Sequence, residues 1–192
     1  MTLRKIAHVG EPVLRAPTRK LTVDELKSPQ TQQLIDDMIE TMRDADGAGI
    51  AANQVFEPVR ICVIEVRAPN PRYPYKPPIP LTVLVNPEIE PLSDETFDNF
   101  EGCLSVPDMR GQVKRFGRIR VRYLDREGNE VVKEVAGVSA GTFQHECDHL
   151  DGKLFLDRVQ DPGTLTTWKN FERHHKARFV EEITKVVERY GE

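Results

Sequence analysis

Apolar and polar positions alternate along this chain with two different periods. Leu34, Ile35, Met38, Ile39 and Met42 recur three and four residues apart, one side of an α-helix. Ser28-Pro29 marks its start and Gly47 and Gly49 its end, so a helix is expected to run to about Ala45. Arg60 to Val66 is rich in β-branched residues and predicts a strand, as does Leu81 to Val85. Ile119–Leu124 and Glu130–Val135 flank Asp125-Arg-Glu-Gly-Asn129 and predict a hairpin. Phe143, Cys147 and Leu150 restore the helical spacing, predicting a helix from Val138 to Leu150 with one face in the core and Gly152 as stop signal. A last helix, about 164–190, carries Leu165, Trp168, Phe171, Phe179, Ile183 and Val187. The expected fold class is α+β: short antiparallel strands packed around a central helix, with N-terminal and C-terminal helices.

Between these elements, Pro69 to Pro80 holds six prolines, with Tyr73 and Tyr75 among them. Such a stretch is neither helix nor central strand. It reads as a stiff surface insertion, about 68–80, with a ligand for a proline-binding module as the alternative.

A chain of 192 residues supports one proper core, so residues 1–192 are expected to form a single domain. A net charge of −4 with 30% charged residues offers no general attraction to nucleic acid or anionic membrane. No apolar run approaches the roughly 18 residues of a membrane span. Met1-Thr-Leu-Arg-Lys-Ile-Ala-His8 lacks the apolar core of a secretion signal. Three widely separated cysteines suit a reducing compartment, and the expected location is cytoplasmic.

Chemistry concentrates in His145-Glu146-Cys147-Asp148-His149. Two imidazoles four residues apart on a helix share a face and can close on one metal ion, with Glu146 between them as a proton carrier. The alternative is a charged helix whose histidines merely neighbour carboxylates. A tetrahedral site needs a third protein ligand, with the fourth position open to water if the metal is catalytic. Cys103 is the candidate, in the polar, Gly-containing stretch Glu101-Gly-Cys-Leu-Ser-Val-Pro107, where Pro107 is expected to end an extended piece. Cys62 in its strand and Cys147 on the core side of the helix read as small hydrophobes. The adjacent His174 and His175 point about 100° apart on a helix and read as a solvated patch. In Gly47-Ala-Gly-Ile-Ala-Ala-Asn-Gln54 small residues permit close approach of another backbone. A helix end followed by a turn explains its glycines equally well.

Three blocks, Gly47-x-Gly49-x-Ala51-Ala-x-Gln54, Glu101-Gly-Cys-Leu-Ser105 and Gln144-His-Glu-x-Asp-His149, resemble in order and spacing the signatures of the peptide deformylases. The similarity runs from Pro12-Val-Leu-Arg15 to Gly152-Lys-Leu-Phe-Leu-Asp157. It departs from the common pattern at Asn53, where many members carry proline, in the proline-rich insertion, and in the C-terminal helix.

The resemblance implies a metal-dependent hydrolase that removes the N-formyl group from the initiator methionine of nascent chains and releases formate. It implies Cys103, His145 and His149 as ligands of one divalent ion, Fe²⁺ with Zn²⁺, Ni²⁺ or Co²⁺ as alternatives. Thiolate plus two imidazoles by themselves fit zinc. It also implies Glu146 as proton carrier, with the Leu104 N–H and Gln54 amide as oxyanion donors. Gly49 and Gly102 would receive the peptide backbone, and Val138, Gly141 and Thr142 would leave room for an unbranched side chain. Arg110 is a candidate to reach the peptide, and Glu101 is expected to be structural, paired with Arg115. The implied partners are N-formylmethionyl nascent peptides and the ribosome near its exit tunnel, without nucleic acid or membrane. Two other readings stay open: a zinc endopeptidase of the His-Glu-x-x-His type, and a non-enzymatic module with a closed structural metal site.

Overall fold

Two helices open the chain in the computed structural model, which describes residues 2–68 and 75–191. Helix α1 spans Val23–Lys27, its first turn closed by Thr22 and Glu25, each accepting from the other's backbone N–H. Helix α2 spans Pro29–Asp44, with the Ser28 hydroxyl accepting from the Thr31 N–H. Its buried stripe of Leu34, Ile35, Met38, Ile39 and Met42 packs with Ile50, Ile61, Val63 and Val85 into one part of the core.

Among the described residues, seven strands follow before the next α-helix: β1 Gly49–Ala51, β2 Ile61–Val66, β3 Ile79–Pro91, β4 Thr96–Cys103, β5 Val106–Phe116, β6 Arg118–Leu124 and β7 Glu130–Ala136. Antiparallel pairing orders five of them β1-β2-β3-β6-β7 in one sheet. The predicted hairpin is β6–β7. The strands are not uniformly short. β3 has 13 residues against the five predicted, because its first half pairs with β2 and its second half with β6. A register shift between Val85 and Glu88, with Asn86 at φ 53°, hides the alternation between the halves.

β4 and β5 went unpredicted for a different reason. Their inward positions include Asn99, Glu101, Arg110 and Arg115, so the buried face is largely polar and gives no apolar alternation. Pro107 does not end the extended piece. It lies near the start of β5, within a register shift that includes Asp108 at φ 59°, where a strand tolerates proline.

Helix α3, Gly137–Leu150, lies across the five-stranded sheet, and β5 also packs against it. Its predicted core face, Phe143 and Leu150 with Ala140, packs on Ile64, Leu84, Ile119 and Val121. Every residue in the helix except His145 is buried, so the side that carries the histidines is covered as well as the core face. Cys62 and Cys147 are buried, the thiol of Cys147 and burial together pushing the Cys62 thiol well up.

The C-terminal segment is not one helix over 164–190. Thr164 ends a 3-10 turn, Pro162–Thr164, and Thr166–Thr167 form β8, which pairs with Met109 and Arg110 of β5 to complete a three-stranded sheet β4-β5-β8. Helix α4, Trp168–His174, begins only where the Thr167 hydroxyl caps it. His175 leaves helical geometry at φ −121°, ψ −30°, and α5 runs on from Lys176–Tyr190. Phe171, Phe179 and Ile183 pack with Phe97 and Val138. His174 and His175 are exposed as expected, although the His175 ring also stacks on Phe100.

Of the proline-rich insertion, residues 69–74 lie outside the described residues. Tyr75 to Pro78 are neither helix nor strand, whereas Ile79 and Pro80 already belong to β3. Among the described residues, no helix is long and apolar enough to cross a membrane.

Candidate metal centre

α3 presents His145 and His149 to the end of β4, where Cys103 sits. One donor atom of each lies within 4.8 Å of the others. Cys103 Sγ is 3.2 Å from His149 Nε2. Burial by itself would raise the Cys103 thiol, but His149 and His145 pull it down to about 5, and a thiolate is the form that ligates a metal. The sulfur also accepts from the Ser105 N–H at 3.4 Å and from Gln54 Nε2 at 3.5 Å.

His145 is oriented from behind. Its Nδ1 lies 2.8 Å from Glu101 Oε2, which leaves Nε2 for the metal side. Glu101 is in turn gripped by Arg115 through two bonds of 2.8 Å, and Arg115 donates a third at 2.6 Å to Asp148, which also accepts from Arg158. Burial would raise the Glu101 carboxyl, but Arg115 and His145 hold it well below the usual carboxylate range. The expected Glu101–Arg115 pair is present, and its further grip on His145 is the arrangement that fixes a ligating imidazole's tautomer. His149 lacks that support. Its Nδ1 is buried without a partner among the described residues, while its carbonyl accepts from Asn53 Nδ2 at 2.6 Å.

A cavity opens over this cluster, lined by Gly49, Gln54, Gly102, Cys103, Leu104 and Glu146 among others. Glu146 is buried, which raises its carboxyl against the opposing influence of His145 and His149, and its Oε2 has no hydrogen-bond partner among the described residues. Its side chain lies directly over Gly49, where an added Cβ would overlap it. Gly49 is thus a strand residue without space for a side chain, not the turn residue that a helix end would require. The Gln54 carboxamide is held at both ends: Oε1 accepts from the Ala51 N–H at 2.8 Å and Nε2 donates to Ser105 Oγ at 2.9 Å. A soft thiolate and two imidazoles form a donor set that fits one divalent transition metal with a fourth position for water, beside the buried Glu146 carboxylate.

The remaining candidates divide. Gly141 and Thr142 line the cavity and Arg110 reaches it. Val138 does not, for its side chain packs with Phe97, Phe171, Phe179 and Ile183. A Cβ on Gly141 would press on Phe97, so its smallness also serves the contact between α3 and β4. Arg110 is 2% exposed, and its guanidinium donates to the Phe100 carbonyl at 2.5 Å and lies over the rings of Trp168 and Phe171. Ser105, Tyr75 and Lys76 were not foreseen. Tyr75 and Lys76 bring the insertion to the cavity, with Lys76 Nζ 3.2 Å from Thr142 Oγ1. The early sign of Ser105 is its place at the end of the block Glu101-Gly-Cys-Leu-Ser105.

Comparison with known proteins identifies the family. The family model described as Polypeptide deformylase matches residues 3–164. Peptide deformylase 1 of Prochlorococcus marinus is 43% identical over 86% of this chain and 85% of its own length. Peptide deformylase 2 of a Nostoc species is 44% identical over 88% and 93%. A Met-Ala-Ser-bound crystal structure of class I type b peptide deformylase from Acinetobacter baumannii superposes with a TM-score of 0.79 at 42% identity, over 82% of this chain and 99% of that one. An actinonin complex of the Synechococcus elongatus enzyme gives 0.71 at 30% identity over 97% and 85%. With one family model spanning most of its length and such relatives matched nearly end to end, the chain belongs to the peptide deformylase family.

Proposed function

We propose that the protein hydrolyses the formamide at the N-terminal methionine of new polypeptides, releasing formate and a free α-amine. The observation that carries this reading is the three-donor cluster beside the buried Glu146, whose Oε2 has no hydrogen-bond partner among the described residues, in a chain of the deformylase family. Residues 1–192 act in it as one catalytic domain, and Cys103, His145 and His149 hold the ion. When bound, the ion supplies Lewis acidity, lowering the pKa of a water from about 15.7 toward about 7. Fe²⁺ is the proposed resident ion, with Zn²⁺, Ni²⁺ and Co²⁺ able to use the same donors.

Glu146 accepts the proton of the attacking water, and its raised affinity for protons suits that role. As water oxygen bonds to the formyl carbon, negative charge grows on the former carbonyl oxygen. Gln54 Nε2, already oriented by Ala51 and Ser105, and the Leu104 N–H donate to that oxygen. Glu146 then returns its proton to the departing nitrogen as the C–N bond breaks. Gly49 at the start of β1 and Gly102 near the end of β4, both lining the cavity, receive the peptide main chain as an added strand, while Gly141 and Thr142 border the side-chain space. The partners are formylated nascent chains, met at the ribosome's exit. The free thiols Cys62, Cys103 and Cys147 favour the cytoplasm.

The deciding experiment is an anaerobic preparation with metal analysis, offered a formyl-methionyl peptide and a blocked internal peptide. Formate from the first with the second intact supports deformylation. Cleavage of the second transfers the site to the endopeptidases, and tight metal with neither activity makes it a closed structural centre.

A further inference from the structure

Three residues lining the catalytic cavity come from three separate segments: Tyr75 in the insertion, Phe100 on β4 and Arg110 on β5. All three are held by one aromatic cluster from the C-terminal segment, which lies beyond the family match ending at residue 164. The Phe171 ring is 5.2 Å from that of Phe100 and 4.3 Å from the Arg110 guanidinium. Trp168 adds a second ring 4.6 Å from Arg110. Phe179 meets Phe100 at 5.6 Å and Tyr75 edge-on at 5.2 Å. Backbone pairing carries the same coupling, since Arg110 stands between Gly102 of β4 and Thr166 of β8.

Arg110 is the joint. Its guanidinium is removed from water, its Nε has no hydrogen-bond partner among the described residues, and its one side-chain hydrogen bond among them goes to the Phe100 carbonyl. A desolvated cation in that state is retained by whatever faces it, here the two indole and phenyl rings. Withdrawing the rings frees the guanidinium to seek water. The Phe100 carbonyl it holds is two residues from Gly102 and three from Cys103.

We infer that Trp168 and Phe171 are positioning residues for substrate binding. They clamp Arg110, and through it the edge of β4 from Phe100 to Gly102, in the shape that receives the peptide. The C-terminal segment is then the outer wall of the active site and not an appendage. This inference rests on the deformylase reading of the cavity.

The test uses the full-length, metal-loaded protein. Trp168→Ala is expected to raise KM for a formyl-methionyl tripeptide about tenfold, with kcat within about twofold, the pattern of lost binding with intact chemistry. Trp168→Phe, which restores a ring face, is expected to recover most of the loss. Phe171→Leu preserves apolar volume but removes the second ring, and is expected to raise KM similarly. Cobalt uptake, read from the thiolate-to-cobalt absorption, should stay at one ion per chain in all three. Unchanged KM in both Trp168→Ala and Phe171→Leu would overturn the proposal. So would kcat falling in step with cobalt content, since the effect would then be loss of folded centre. Wild-type protein that releases no formate would instead sink the functional reading itself.

Discussion

Glu101 Oε2 stands 2.8 Å from His145 Nδ1, and the same carboxylate is fixed from its other side by the Arg115 guanidinium. The metal helix is thereby clamped to β4 through a charge held away from water. The carboxylate takes one role toward the fold and another toward the imidazole.

Removing that carboxylate should therefore act on metal and stability together. Glu101→Ala is expected to weaken metal affinity about 10- to 100-fold and to destabilise the fold by about 3–5 kcal/mol, because Arg115 keeps only Asp148 as a buried partner. Chelator competition and denaturant unfolding measure the two effects. Normal affinity in the variant would show that His145 needs no support from behind.

Glu146→Gln retains shape and removes the proton carrier. Turnover should fall by at least about 10²-fold, while metal content stays at the wild-type level because Glu146 is outside the three-donor cluster. A variant that turns over normally would assign the proton transfer elsewhere.

Gln54→Ala removes one donor to the developing oxyanion, and kcat is expected to drop about 10²–10³-fold. Ser105→Ala leaves the amide present but releases its Nε2, which now donates to Ser105 Oγ at 2.9 Å, so a smaller decrease is expected. Equal losses in the two variants would mean that Ser105 acts by another route.

At Gly49 the constraint is steric. A methyl there overlaps the Glu146 carboxyl group, so Gly49→Ala should displace the proton carrier and lower kcat with little change in metal binding. Structure determination of the variant would show the carboxylate moved; an unmoved Glu146 with full activity would contradict the expectation.

Acid stability is predicted at Asp37, far from the metal. Burial alone would raise its carboxyl, but the Thr2 N–H, Gln33 and Arg4 outweigh that and hold it below the ordinary value of 3.8. A group with a depressed folded pKa contributes stability that is complete above its unfolded pKa and is lost as pH falls through the folded one. Asp37→Asn should therefore unfold more easily than wild type at pH 7, by on the order of 1 kcal/mol, and the gap should shrink as the pH falls below the ordinary value of 3.8 and through the lowered folded-state pKa. Urea melts at pH 7 and through the acid range decide it, and a gap of constant size would remove the proton linkage.

Local spacing alone determined the α2 stripe, the β6–β7 hairpin, and the placing of His145 and His149 on one face, since each depends on residues within a turn or two of one another. The same spacing failed where function occupies the interior: β4 and β5 bury Asn99, Glu101, Arg110 and Arg115, and a polar face has no hydrophobic period to read. It failed again at His175, where a break in the helix lets its ring and those of Phe171 and Phe179 all meet Phe100. Tertiary structure alone decided that Cys103 reaches two imidazoles more than 40 positions away in the chain, that Glu101 backs His145 across 44 positions, and that Glu146 lies on Gly49. Those contacts arise because strands of both sheets pack against one helix, a long-range packing outcome that no short window of residues contains.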